Sequence, residues 1–290
     1  RFLLQELSWG PTIPMVKIAV IIVTHNSQDV LPRCLDALSK QTILTNIFLV
    51  DSGSKDVSYL NIYRKKPGIR VIFEKNIGFS RANNRGYQAV SQSAEFILFL
   101  NPDAFLTEST LEKSLSFLQE NEKIGCVGAR LLGFNKNSGL PTNLLDSTGV
   151  FRKWYGCWYD RSQGEKDRGQ YPIPEDVPAL CGAFLFCRQA MLAQLSLGLN
   201  NGTAVFDPDF FLYKEDIELC LRIRKAGWRT VYHPEIQVYH CRGWQKNRQQ
   251  IPYQQRLTAA MSELLLYKKH PSLYVVWALF KYLLVRWLKI

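Results

Sequence analysis

Four acidic side chains and one histidine carry most of the chemistry that this sequence offers. Asp103 follows an unbroken apolar run, Phe96 to Leu100, and stands in the turn Asn101-Pro102-Asp103. Pro102 stops the run and biases Asn101 toward extended backbone, so the Asp103 carboxylate is held on a stiff turn where it can face a cation. A turn-capping role is the alternative for Asp103. Glu215, Asp216 and Glu218 place three carboxylates within four residues behind the aromatic run Phe210-Phe211-Leu212-Tyr213. Like charges this close raise at least one pKa, which suits a general base, whereas a single acid there would only complement a helix dipole. His240 ends the run Ile236 to Tyr239, which His233 precedes; a histidine at a strand end is a candidate metal ligand.

Positioning these groups requires a sheet whose strands end at one edge. Ile18 to Val23, Ile47 to Val50, Val71 to Phe73 and Phe96 to Leu100 are β-branched or aromatic apolar runs without alternation, the pattern of buried parallel strands. Leu31, Cys34, Leu35 and Leu38 recur at helical spacing between the first two runs, which makes a βαβ unit. Ligands of such sheets bind at the carboxyl edge. The residues there are Thr24-His25-Asn26-Ser27, suited to a ligand contact or to capping the next helix, and Asp51, suited to a ribose or base edge or to an N-cap. Asn76-Ile77-Gly78 opens a helix carrying Arg81 and Arg85 on one face. That pair can neutralise a diphosphate or form a solvated basic face.

Further along, Thr107 to Asn121 reads as a helix capped by Thr107 with Leu111, Leu115 and Leu118 buried, and Gly125 to Leu132 as a strand. Periodicity fails from about Gly133 to Pro178, where Trp154-Tyr155-Gly156-Cys157-Trp158-Tyr159 forms either a sugar-stacking surface or buried packing. Cys181 to Phe186 resumes strand character, with Gly182 allowing close backbone approach. Glu215 begins a helix that ends at Ala226-Gly227.

Apolar residues make up 47% of the 290, which is globular, and the formal charge of +11 calls for an anionic partner. The seven cysteines lack C-x-x-C spacing, so a reduced, cytosolic chain without disulfides or zinc is expected. Arg1 to Pro14 has no signal-length apolar stretch and is read as an extension before Met15. In the segment Ser272 to Ile290, Lys281, Arg286 and Lys289 fall within an arc of about 140° opposite an apolar surface, which suggests a helix lying in a membrane interface; docking on the domain is the alternative.

The blocks IAVIIVTHN, VDSGS, NIGFSRANNRG, FLNPDA, CGAFLF and FDPDFFLYKEDIELCLRIRKAGW, followed by HPEIQVYH, occur in the order of the inverting family 2 glycosyltransferases. The chain resembles that family from about Ile18 to His240, and within it the bacterial rhamnosyltransferase-like branch. The resemblance implies a GT-A fold, α/β with a Rossmann-like, mostly parallel sheet flanked by helices. It divides residues 15–255 into a nucleotide-sugar half (15–132) and an acceptor half (133–255), leaving 256–290 as a membrane-associating helical tail. It implies Asp216 as catalytic base with Glu215 beside it, and Asp103 and His240 as ligands of Mg²⁺ or Mn²⁺, with Asn101 replacing the first Asp of a D-x-D motif. Thr24, Asn26 and Asp51 match the nucleoside pocket, Asn76, Gly78 and Arg81 the diphosphate block, and Gly182 and Trp244 further substrate contacts. The implied reaction moves a sugar from a nucleoside-diphosphate donor such as dTDP-rhamnose to a lipid-linked saccharide in cell-surface polysaccharide synthesis. The enzyme would be cytoplasmic, held peripherally at an anionic membrane surface, without nucleic acid, and compatible with a homo-oligomer. A UDP-sugar transferase of the same family is the nearest alternative; a nucleotidyltransferase or an inactive membrane scaffold lies further off.

Overall fold

The computed structural model describes residues 17–90, 94–199, 202–241 and 251–289; Arg1 to Pro14, Met15 and Trp244 lie outside them. In chain order the elements are β1 (Ile18–Thr24), α1 (Leu31–Ser39), β2 (Thr45–Ser52), β3 (Ile69–Glu74), α2 (Phe79–Ala89), β4 (Phe96–Leu100), β5 (Ala104–Leu106), α3 (Thr110–Glu120), β6 (Ile124–Asn135) and β7 (Leu140–Ser147). They continue with β8 (Val150–Arg152), β9 (Trp158–Asp160), β10 (Glu175–Asp176), β11 (Phe184–Arg188), α4 (Gln189–Leu195), β12 (Leu197–Leu199), β13 (Gly202–Ala204), α5 (Glu215–Lys225), β14 (Arg229–His240), α6 (Tyr253–Lys269) and α7 (Val275–Leu283).

A ten-stranded sheet runs in the order β10-β14-β6-β11-β4-β1-β2-β3, with β5 added to β14 and β7 to β6. β3, β2, β1 and β4 are mutually parallel, and β11 is antiparallel to both β4 and β6. Since β14 is parallel to β6, six strands share one direction. Every side chain of β1 and β4 is buried, because helices cover both faces, which is why these strands read as continuous apolar runs. α2 packs on β1 and β2, α3 on β6 and β14, and α5 on β14.

The shared direction brings Thr24, Asp51, Asn101 and His240 to one carboxyl edge. β11 runs the other way and starts there, pairing Phe184 with Leu100, so Cys181-Gly182-Ala183 sits beside Asn101. The short β5 folds back antiparallel onto β14 and pairs Ala104 with His240. That register is what carries Asp103 to the histidine.

Local expectations need several corrections. α3 starts at Thr110, not Thr107, and has no side-chain cap; the hydroxyls of Thr107 and Thr110 instead reach the Gln237 carbonyl of β14, tying the helix start to the sheet. The Thr24–Ser27 turn does not cap α1, whose N-terminal turn is closed by the Ser27 carbonyl. The stretch without periodicity contains β7, the β8–β9 hairpin and β10, strands of two to eight residues too short and too twisted around turns to leave a pattern. α6 begins before residue 256 and packs against the domain, where Ser262 donates to the Leu212 carbonyl and Lys269 pairs with Asp207 and Asp209 at 2.6 Å. No helix among the described residues is long and apolar enough to cross a membrane.

Candidate active site

A cavity of about 570 Å³ opens at the carboxyl edge of the sheet. Asn101, Asp103, Gly182, Glu215, Asp216 and His240 line it together, with Asn76 and Gly78 beside them. The acids singled out from distant parts of the chain therefore share one cleft.

On the β4–β5 side, Asp103 Oδ1 lies 3.4 Å from His240 Nε2, and Asn101 Nδ2 also lies 3.4 Å from that nitrogen. The other ring nitrogen, Nδ1, is 2.8 Å from Asp146 Oδ2. Burial alone would lower the His240 pKa, but the two carboxylates outweigh it and lift it to about 9. Burial likewise opposes ionisation of Asp103, yet the imidazolium holds that carboxyl below its usual range. Asp146, at the end of β7, is a residue the sequence did not single out; it lies in the stretch without periodicity, and no motif surrounds it.

The second group is built on the start of α5. Asp216 Oδ2 accepts the Gly182 N–H at 2.9 Å, and Oδ1 accepts the N–H of Ile217 at 2.8 Å. Burial nevertheless raises the Asp216 pKa, with Asp160 adding to the rise and Lys214 opposing it. Glu215 is also raised, to about 8, by burial and by the charge of Asp216, and its Oε2 is buried without a hydrogen-bond partner. At neutral pH Glu215 thus holds a proton, and Asp216, bonded by two backbone N–H groups, is the better anion. Glu218 behaves differently. It is salt-bridged to Arg222 at 2.8 Å and approached by His270 at 3.3 Å, which outweigh its burial and keep it below its usual range, so it anchors α5 and does not join the pair.

The segment that leads into α5 shapes the floor. Phe79 N–H donates to the Phe211 carbonyl at 2.7 Å, which brings the Phe211 backbone against Gly78. Gly78 has φ +82°, and a Cβ there would lie 2.6 Å from Phe211, so both backbone sign and space demand glycine. Tyr213 and Lys214 have φ of +72° and +69°, a strained pair immediately before Glu215.

Other residues expected here lie outside the cavity lining. Thr24 Oγ1 donates to Asp51 Oδ1 at 3.0 Å, and Asp51 also accepts the N–H of Ser54 at 2.9 Å; the carboxylate is spent on joining the ends of β1 and β2. Asn26, at φ +51°, is exposed, with Oδ1 accepting the Lys55 N–H. Arg81 donates to the Pro208 carbonyl and faces a separate shallow depression with Arg85 and Glu74. From this edge Val23, His25, Ser27 and Ser52 line the cleft, and His25 Nδ1 lies 2.8 Å from the Ser52 carbonyl oxygen.

Residues 19–196 match the model of the glycosyl transferase family 2 domain. The chain is 24% identical to the N-acetylglucosaminyl-diphospho-decaprenol L-rhamnosyltransferase of Mycobacterium tuberculosis over 237 residues, 76% of this chain and 75% of that relative. It is 34% identical to the O-antigen chain rhamnosyltransferase RfbN of Salmonella typhimurium over 228 residues, covering 78% of this chain and 66% of the other. Among solved structures, GalNAc-T7 with UDP, GalNAc and Mn²⁺ superposes with a TM-score of 0.67 at 19% identity, over 89% of this chain but 48% of that one. The mannosyltransferase PcManGT from Pyrobaculum calidifontis, with GDP-Man and Mn²⁺, gives 0.58 at 14% identity over 97% and 74%. With the GT-A sheet and a carboxylate-lined cleft at its edge, these likenesses are decisive: the chain belongs to glycosyl transferase family 2 and is a rhamnosyltransferase-like glycosyltransferase.

Proposed function

We propose that the enzyme transfers a sugar, with inversion at C1, from a nucleoside-diphosphate donor to a hydroxyl of a lipid-linked saccharide at the inner face of the cell membrane. The observation that carries this reading is the meeting in one cavity of Asp103 and His240 with Asp216 and Glu215.

In this mechanism Asp216 removes the proton from the acceptor hydroxyl, and the oxygen attacks C1 as the bond from C1 to the diphosphate oxygen breaks. A single displacement inverts the anomeric centre. Glu215, neutral beside it, keeps a second negative charge away from the base. Gly182 N–H holds Asp216 in place, and the Asn76–Gly78 turn lets the donor approach the backbone closely.

The donor set suits a divalent ion that is completed by its substrate. One carboxylate and one imidazole converge at the cleft, with Asp146 behind the imidazole; among the described residues there is no cluster of three protein ligands. Asp103 and His240 would hold Mg²⁺ or Mn²⁺, with diphosphate oxygens and water filling the remaining positions. When bound, the ion offsets the charge of the departing diphosphate. To hold the ion, His240 would have to be neutral, with its proton on the Nδ1 that faces Asp146.

dTDP-rhamnose is the first donor to try, because the relatives are named as rhamnosyltransferases. The test is transfer to a synthetic N-acetylglucosaminyl-diphospho-lipid from a panel of dTDP- and UDP-sugars with Mn²⁺, and NMR of the product anomer. An inverted product is expected; a retained configuration from every active donor overturns the single displacement.

A further inference from the structure

α7 carries its polarity the wrong way round for a helix in water. Val276, Phe280 and Leu283 of α7, with Leu273 in the turn before it and Trp287 in the helical turn after it, form one outward apolar stripe, with Leu273 90% and Trp287 74% exposed. The inward side holds Ala278 and Val285 against the domain, and Lys281 is turned in to pair with the fully buried Glu263 of α6. The charges expected to form one solvent face are therefore divided.

The apolar stripe continues onto a second element. Trp154, at the tip of the β8–β9 hairpin, is 86% exposed and stands edge-on to Tyr155 at 5.4 Å. Tyr155 packs on Trp277 at 5.0 Å, and Trp277 lies 6.0 Å from Phe280, so aromatic rings join the hairpin tip to α7. The hairpin is also bound to this end of the domain by the Tyr267 hydroxyl, which donates to the Gly156 carbonyl. Its other end, at Val150, Trp158 and Tyr159, lines the active-site cavity.

Charge selects the occupant. From Leu264 to Ile290 the sequence has no Asp or Glu; Lys269 and Lys281 are paired with Asp207, Asp209 and Glu263, but Lys268, Arg286 and Lys289 remain as cations of this end, and the hairpin adds Arg152 and Lys153. A second copy docked on this face by two-fold symmetry would set these cations against their own counterparts. An apolar face with exposed tryptophans and a cationic border instead matches the interface of an anionic bilayer, where indoles lie at headgroup depth and long basic side chains reach the phosphates.

Resting on the reading of the acceptor as lipid-linked, we propose that the hairpin tip and α7 form one surface that seats on an anionic bilayer and presents the head of the embedded acceptor to the cavity.

The test uses the full chain. Flotation with phosphatidylcholine vesicles, with and without phosphatidylglycerol, should show salt-sensitive binding to the anionic vesicles. Trp154→Glu with Phe280→Glu and Trp287→Glu should lower it about tenfold or more. Trp154→Glu alone, an exposed hairpin-tip change, should weaken binding without altering thermal unfolding. Transfer to a short-chain, water-soluble acceptor analogue should stay at the parent rate in both variants, while transfer to a vesicle-embedded acceptor falls. Parent-level flotation of the triple variant overturns the surface, as does a concentration-dependent dimer that the triple variant abolishes without any binding to vesicles. Intact flotation with no transfer to any saccharide overturns the functional reading and leaves the surface standing.

Discussion

Asp216 Oδ2 and the backbone nitrogen of Gly182, 34 residues apart in sequence, are 2.9 Å apart. The bond favours the ionised form of a carboxylate whose pKa burial raises, and it ties the first turn of α5 to the chain entering β11. Asp216→Asn keeps the shape but removes the proposed proton acceptor. Turnover should fall by about 10²–10⁴-fold with donor binding largely retained; near-parent kcat would show that another group takes the proton.

A side chain at Gly182 would crowd Asp216. A Cβ there would lie 3.2 Å from Asp216 Cβ and 3.3 Å from Oδ2, so Gly182→Ala must push the carboxylate by a few tenths of an ångström. The expected outcome in steady-state kinetics is a kcat lowered about tenfold with the donor KM little changed.

Glu215 ties stability to pH. Its folded value of about 8 lies above its ordinary 4.5, so the folded chain keeps a proton that the unfolded chain releases. The resulting stabilisation is complete below the ordinary value and is lost as pH rises through the folded one. Glu215→Gln cannot lose it, and its melting temperature relative to the parent should climb through that window when followed by calorimetry. A gap that stays constant with pH would place the proton elsewhere.

If Asp216 is the base proposed above, it must be ionised to act, and the acid side of the activity profile follows its titration. Asp160 helps to raise its pKa, so Asp160→Asn should move the acid limb of kcat to lower pH. An unmoved limb would separate Asp160 from the base.

Asp146 supports His240 from behind, through the 2.8 Å contact with Nδ1. Asp146→Asn should weaken Mn²⁺ binding in the presence of nucleoside diphosphate by about 10–100-fold. Asp103→Ala, which removes a proposed ligand, should abolish the dependence of donor affinity on metal. Calorimetry with and without Mn²⁺ reads both.

Parts of the site were legible because local chemistry wrote them. The short β-branched and aromatic apolar runs of β1 and β4 read as strands covered on both faces, and Pro102 ends one of them, so Asp103 at a sheet edge follows from residue types. Glu215 and Asp216 at the head of a helix follow from the first-turn acids and the Gly227 terminus. Arg81, Thr24 and Asp51 show where such reading stops: each has the right residue type, but whether it faces a ligand depends on partners, the Pro208 carbonyl for Arg81 and a shared hydrogen bond for Thr24 and Asp51. The turn Thr24-His25-Asn26-Ser27 suited a ligand contact as a whole, and only folding decides that His25 and Ser27 line the cleft while Thr24 and Asn26 do not.

By itself, the amino-acid order determined a mostly parallel α/β sheet, its edge residues and the family to which they belong. Only the tertiary structure decided that Asp103 meets His240, because that contact needs β5 to reverse onto β14 in one register, with Asn101 and His240 139 residues apart. It alone supplied Asp146, drew Glu218 into an ion pair and turned Lys281 inward beneath an outward apolar stripe. The physical reason is common to all four: strand periods and helix caps are set by neighbours along the chain, whereas ionisation, metal coordination and surface polarity depend on groups that only folding brings within a few ångströms.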